Sequence, residues 1–266
     1  MKITILLENT ACQPQLFAAH GLSIYLETEF GNVLVDTGPA DEFIRNARLL
    51  EISLKDVDFC VISHGHDDHG GGLHEFLKLN SKAPVYISRH GFEPHFAGAR
   101  QIGLDRSLET HPQIRLTQKN CKINDHLQLL SEIRGNRLMP AANAGLLDSN
   151  GPDAFLHEQV LLAEEKGRLL LLGGCAHTGI VNILDEVHSV CGRYPDVVIS
   201  GFHLAAGGRG QCMADEQYLD ALSEALLKTG AMFYTCHCTG PVAFAGLKSR
   251  MEDHLEALST GAQLTI

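Results

Sequence analysis

The chain has 266 residues, 44% of them hydrophobic and 20% charged, which is enough apolar material for a sizeable core and too much for a disordered protein. Its 21 Lys and Arg against 32 Asp and Glu leave a net charge of −11, which repels phosphate-rich polymers and anionic lipid surfaces, so neither nucleic acid nor a membrane is expected as a partner. Met1 to Glu8 lacks the pattern of a secretion signal, and aliphatic blocks such as Leu169 to Leu172 fall far short of the roughly 20 residues that span a bilayer. The expected location is cytoplasmic.

With no internal repeat and no Pro/Gly/Ser-rich linker, the sequence reads as one domain over 1–266. Ile3 to Leu7, Leu22 to Thr28 and Asn32 to Val35 read as strands, the last two joined by a turn at Phe30 and Gly31. Helical spacing follows over Pro39 to Leu50, then a short apolar strand over Val57 to Ile62 that stops at Ser63. A helix to about Asn80, a strand at Val85 to Ile87 and a poorly patterned stretch to about Ile114, read as a lid, come next. Strands are expected around Ile114 to Leu116, Leu127 to Leu130, Val160 to Ala163 and Leu169 to Leu172, with a turn at Lys166 and Gly167. Asn136 to Pro152 reads as a loop at a pocket mouth. Helices beginning near Thr178, Asp215 and Pro241 alternate with short strands at Val197 to Ile199 and Met232 to Tyr234, so sheets covered by helices are expected.

None of the eight cysteines forms a Cys-x-x-Cys pair, which removes a zinc ribbon or a thioredoxin-type site from consideration. The 15 histidines carry more information, because several sit beside glycines at the ends of apolar runs, where a scaffold presents functional groups. The strongest signal is Ser63-His64-Gly65-His66-Asp67-Asp68-His69-Gly70-Gly71-Gly72, placed where a strand ends and a helix begins. Alternate residues of extended chain point the same way, so His64 and His66 can clamp one metal while Asp68 and His69 turn into the helix and face a second. A polar turn that merely caps a helix, with Asp68 favoured by the dipole, is the bland alternative. It is disfavoured because three imidazoles and a carboxylate crowded together would repel on protonation unless a cation organised them.

These residues resemble the metal-binding loop of the metallo-β-lactamase fold superfamily, and Val33-Leu34-Val35-Asp36-Thr37-Gly38 resembles its strand-then-acid segment. The resemblance implies that Asp36 is a hydrogen-bond acceptor behind a histidine ligand. Gly173-Gly174-Cys175-Ala176-His177-Thr178-Gly179 departs from the superfamily, placing Cys175 where a bridging aspartate usually sits and His177 two residues on. Thiolate and imidazole both suit zinc, so either residue could bind; His177 is favoured. Two more strand-end histidines follow, His203 in Gly201-Phe202-His203-Leu204 and His237 between Cys236 and Cys238. The resemblance puts His237 on the second metal with Asp68 and His69; His203 is a candidate to bind a substrate phosphate or carbonyl oxygen, to donate a proton, or simply to fill the pocket wall.

The segments around Asp36, His64 to Gly72, His157-Glu158-Gln159, Gly174 to Gly179, Gly201 to Leu204 and Cys236 to Gly240 are similar to a branch typified by dihydropterin ribofuranosyl-aminobenzene phosphate synthases, whose step resembles that of dihydropteroate synthase. The resemblance implies an α+β fold, a four-layer αβ/βα sandwich of two mixed sheets with outer helices. It implies two divalent ions, zinc foremost and iron or manganese as alternatives, held by His64, His66, Asp68, His69, His177 and His237. Asp68 and His203 are the candidate catalytic residues, with Asp36, Cys175 and Arg209 in supporting places. The expected reaction is hydrolysis of a small molecule by metal-activated water, or transfer in which an arylamine displaces the diphosphate of a pterin. A di-iron oxidoreductase with a separate electron donor and a non-catalytic metal-binding module are the alternatives. A phosphorylated substrate would need local positive charge, for which Arg89, Arg100, Arg106 and Arg209 are candidates, Arg209 first.

Overall fold

The computed structural model describes residues 1–206 and 211–266, so Arg209 lies outside the described residues. Two seven-stranded mixed sheets form its centre. In the first, strands Gln263–Thr265, Lys2–Leu7, Ser23–Thr28 and Gly31–Val35 run antiparallel, and Phe59–Val61, Val85–Ser88 and Ile114–Thr117 continue it in parallel. The second runs Leu255–Ala257, Met232–Thr235, Val197–Ile199 and Arg168–Leu172 in parallel, then Gln159–Glu165, Leu127–Ser131 and Asn120–Lys122 antiparallel.

Side-chain alternation along the strands sorts the core into layers. Val33 and Val35 point between the sheets, where they meet Leu161, Leu170 and Leu172 of the other sheet. Leu34, one residue out of phase, packs outward with Phe43, Ala47, Leu73 and Phe76 of helices Glu42–Leu49 and Leu73–Leu79. Leu169 and Leu171 likewise face outward, onto helices Ile180–Cys191, Glu216–Leu227 and Pro241–Met251. The result is the expected αβ/βα sandwich. Among the described residues, no helix is long and apolar enough to cross a membrane.

The elements depart from the sequence reading at their ends. The first helix starts at Glu42 rather than Pro39, because Gly38 is tied into the backbone of Leu22 and Gly72 and the next residues lead from that contact to the helix. The strand expected from Val57 begins at Phe59, after a 3-10 turn at Leu54–Asp56. The helix expected near Thr178 begins at Ile180, since Gly179 adopts a φ of 83° that suits glycine. The expected lid and the expected mouth loop pair with one another: Phe96–Ala97 and Arg100–Gln101 join Leu146–Asp148 and Gly151–Pro152 in a four-stranded sheet. Strands of two or three residues carry too little periodicity to be read from sequence.

Gln159 ties the two sheets together beside the histidine loop. It is fully buried, its amide nitrogen donates to the carbonyls of Ile62 and Tyr86 at 2.8 and 3.1 Å, and its oxygen accepts from the Thr117 hydroxyl at 2.7 Å. Gln159→Leu leaves those groups without their partner, and at about 1–3 kcal/mol for a buried polar group so stranded the variant should lose at least about 2 kcal/mol in urea denaturation. A midpoint equal to that of the parent protein would contradict this role.

Candidate metal centre

The histidine-bearing turns all follow parallel strands, so they gather at one edge of the sandwich, where the carboxyl ends of such strands leave room for a ligand. Asp36 follows Gly31–Val35, His64 to His69 follow Phe59–Val61, Cys175 and His177 follow Arg168–Leu172, His203 follows Val197–Ile199 and His237 follows Met232–Thr235. The backbone is bent sharply at these points. Asp36, Ala176, His203 and His237 hold left-handed φ values of 61°, 55°, 49° and 50°, each costing about 1–3 kcal/mol that the surrounding structure has to offset. Gly174 permits the two halves to meet, since a Cβ there would run into the Ser63 side chain.

Two sets of donor atoms converge. His64 Nε2 and His177 Nε2 lie 3.3 Å apart, and His66 offers a nitrogen within 4.8 Å of both. His69 Nε2 and His237 Nε2 lie 3.2 Å apart, with Asp68 Oδ2 at 3.3 Å from His237 Nε2 and 3.9 Å from His69 Nε2. Tetrahedral zinc with bonds of about 2.0–2.1 Å has ligand-to-ligand edges of about 3.3 Å, so both sets fit a divalent ion. Cys175 stands between them, its Sγ 3.2 Å from His69 Nε2.

The other side of each ring explains why the Nε2 atoms face inward as lone pairs. His69 Nδ1 donates to Asp36 Oδ2 at 2.6 Å. The Ser63 hydroxyl donates to that same carboxylate at 2.7 Å, which leaves its oxygen to accept from His64 Nδ1 at 2.9 Å. His177 Nδ1 donates to Asn143 Oδ1 at 3.1 Å while Asn143 Nδ2 donates back to the His177 carbonyl at 2.8 Å. His237 is held the same way by Asn9, at 2.8 and 3.2 Å. Buried glutamates then fix the backbone: Glu158 accepts from the His177 and Thr178 amides and the Thr178 hydroxyl, and Glu8 accepts from the His237 and Thr10 amides and the Thr10 hydroxyl. An acceptor behind each ring sets its tautomer and aims the free nitrogen, as metal sites require.

Charge in the site follows from burial and neighbours. Burial pushes the His64, His66 and His177 imidazoles well below the ordinary histidine range, and adjacent histidines add to the effect. Burial would raise the Asp68 carboxyl, but His69 and His237 outweigh it and hold the group well below the usual carboxylate range. His69 is lowered by burial and raised further by Asp68 and Asp36, to about 9. A ring that close to two carboxylates attracts a positive charge, and a metal ion can supply it in place of a proton.

A further cluster, His66, His95, Asp153 and His157, lies behind the first set. Its members His95, Asp153 and His157 form a hydrogen-bonded network. His157 Nδ1 accepts from the Gly65 amide at 2.9 Å, so its Nε2 carries the hydrogen that goes to Asp153 at 3.2 Å, and no lone pair remains for a metal. His95 Nδ1 meets the same carboxylate at 2.9 Å. Among the described residues, His66 Nε2 and both ring nitrogens of His203 are buried without any hydrogen-bond partner, which is costly unless a ligand completes them. Of the arginines considered, Arg100 lines the pocket above the donors. Arg89 instead pairs with Glu132 and Arg106 with Glu109, away from it.

That pocket holds about 540 Å³ and is lined by His66, Asp68, His177 and His237 of the donor sets, by His20 and His203, and by Ala97, Gly98, Ala142 and Gly145 of the roof. His20, which sequence patterning did not single out, brings Nε2 to 3.3 Å from Asp68 Oδ2. Asn9, Asn143 and Glu8 were equally silent, being isolated polar residues whose meaning depends on what the fold sets beside them, and Glu158 entered only within the His157-Glu158-Gln159 segment.

The model of the metallo-beta-lactamase superfamily matches residues 18–201 of the chain. The chain belongs to the metallo-β-lactamase superfamily. A relative within it is the 7,8-dihydropterin-6-methyl-4-(beta-D-ribofuranosyl)-aminobenzene-5'-phosphate synthase of Methanocaldococcus jannaschii, 28% identical over 290 residues that cover 98% of this chain and 95% of the other. A solved metal-dependent hydrolase of the beta-lactamase superfamily is similar at a TM-score of 0.85 and 28% identity, over 100% of this chain and 99% of that one. The anaerobic nitric oxide reductase flavorubredoxin of Salmonella arizonae is 38% identical over 72 residues, which is 26% of this chain and 15% of that protein.

For this superfamily member, the amide clamps on two histidines give a direct test. Asn9→Ala and Asn143→Ala should each lower metal affinity about 10–100-fold while the far-ultraviolet circular dichroism stays that of the parent. Competition with a chromophoric chelator measures it; unchanged affinity in both variants would mean that the amides only pack.

Proposed function

We propose that the chain is a dinuclear metal-dependent enzyme acting on a small, phosphorylated, pterin-like molecule, with His64, His66 and His177 holding one ion and Asp68, His69 and His237 the other. The observation that carries this reading is the pair of donor sets at tetrahedral-edge spacing on the floor of one roofed pocket. A bound divalent metal, zinc by donor type, would polarise a phosphoryl or carbonyl oxygen and lower the pKa of a water there. Iron also suits these donors, and metal analysis of the purified protein separates the two.

The chain's own residues divide the remaining work. His203 lines the pocket with its ring centroid 4.1 Å from that of His177 and both nitrogens without a partner among the described residues, so it is placed to donate to a substrate oxygen. Asp68 meets His20, His69 and His237 at once and orients them around the second ion. Arg100 carries positive charge to the pocket wall and pairs with Asp67 at 2.6 Å, a largely exposed contact that an anionic group of the substrate can replace. The small side chains of Ala97, Ala142 and Ala144 and the bare backbone of Gly98 and Gly145 leave a shallow wall that accepts a flat ring. The pterin-related name of the archaeal relative and the hydrolase name of the structural one support this substrate class and a metal-dependent reaction. A small molecule is the proposed partner; the net charge of −11 disfavours nucleic acid.

The test is turnover of a pterin diphosphate ester by the zinc-loaded protein, with and without an aminobenzoate-type arylamine. Metal-dependent release of diphosphate is expected, with a coupled product if the nucleophile is the amine and a hydroxymethyl product if it is water. His203→Gln should lower kcat about 100-fold or more at unchanged metal content, and Arg100→Ala should weaken inhibition by phosphate several-fold. Full metal loading with neither turnover nor phosphate inhibition would overturn the proposal.

A further inference from the structure

Cys175 occupies a position that the two three-residue sets leave unexplained. Its Sγ lies 3.2 Å from His69 Nε2, the spacing found between members of each set. It is also grouped, donor atom to donor atom within 4.8 Å, with His64 and His69, with His177 and His203, and with His237 and Cys238. His64 and His177 belong to one set and His69 and His237 to the other, so a single sulfur sits within reach of both. The backbone around it is fixed from two directions. The Gly174 carbonyl accepts from the Gly201 amide at 2.7 Å, and the Cys175 carbonyl accepts from the Cys238 thiol at 3.6 Å.

We infer that Cys175 is a bridging thiolate, one sulfur bound to both ions, which makes this a sulfur-containing centre that selects soft or borderline divalent metals such as zinc, cobalt, iron or cadmium over magnesium or manganese. The inference rests on the dinuclear reading. When the ions enter, the S–H bond of Cys175 gives way to two sulfur-to-metal bonds and the proton leaves to solvent. His69 keeps its Nδ1 hydrogen on Asp36, releases the Nε2 proton it carries in the metal-free protein to solvent, and turns that nitrogen's lone pair to one of the ions. Cys238, also buried in the pocket, has a different part. Its sulfur accepts from the His203 amide at 3.3 Å and its S–H donates to the Cys175 carbonyl at 3.6 Å, so it is assigned to bracing the turn rather than to the bridge.

Anaerobic titration of the metal-free protein with cobalt(II) tests this by a readout independent of activity. The parent should bind two equivalents and develop a sulfur-to-cobalt charge-transfer band in the near ultraviolet that grows through both. Cys175→Asp should lose the band while still binding two equivalents, and Cys238→Ser should keep it. Two equivalents without the band, or a band lost in Cys238→Ser and kept in Cys175→Asp, would overturn the bridge and leave the dinuclear centre standing. A single equivalent bound by the parent would overturn the dinuclear centre and the bridge with it.

Discussion

Four buried imidazoles turn their Nε2 atoms on one another across gaps of 3.2–3.3 Å, and much of the surrounding structure exists to hold them there. Facing lone pairs repel, and protonating neighbouring rings replaces that repulsion with a worse one between like charges. A divalent cation relieves both. Each ring must therefore present its lone pair inward and anchor its remaining N–H on a buried acceptor, and each acceptor must in turn be oriented by donors of its own. The chain of requirements runs outward from His177 through Asn143, and from His69 through Asp36 and Ser63, until it ends in backbone.

The two halves of the fold meet this demand with the same device. Glu8, Asn9 and Thr10 hold His237 as Glu158, Asn143 and Thr178 hold His177, although the two groups come from unrelated stretches of sequence. Both histidines, moreover, follow parallel strands of the same sheet. Left-handed backbone at Ala176 and His237 gives each turn its sharp exit from the strand, a strain of about 1–3 kcal/mol per residue that the glutamate and amide contacts offset locally. Rigidity at the site is thus built largely from hydrogen bonds, with the Phe155 ring stacked on His177 at 4.7 Å beside them.

How much of this was legible in sequence depended on spacing. His64, His66, Asp68 and His69 fall within six residues of each other, so period-two geometry and one helix turn already suggest that they face two sides of one site, and the structure gathers them at one sheet edge. Sheets covered by helices were legible in the order of strands and helices, and the resemblance to the superfamily supplied the sandwich; that the continuous apolar run Val33 to Val35 divides between layers, Leu34 against Val33 and Val35, emerges only in the structure. Asn9 and Asn143 stand 228 and 34 residues from the histidines they clamp, and nothing local distinguishes either from a turn asparagine. The roof escaped for another reason: strands as short as Phe96–Ala97 gain their pairing only from a partner some 50 residues away that shows no pattern either. Charge was the weakest guide, since Arg89 is occupied by Glu132, far from it in sequence, and Arg106 by its near neighbour Glu109.

The central claim is the position of two ions relative to named side chains, and anomalous diffraction at the metal absorption edge addresses it without any assumption about the reaction. Crystals of protein loaded with zinc should give two anomalous peaks, one among His64, His66 and His177 and the other among Asp68, His69 and His237. A single peak, or a peak within the His66, His95, Asp153 and His157 cluster, would contradict the account.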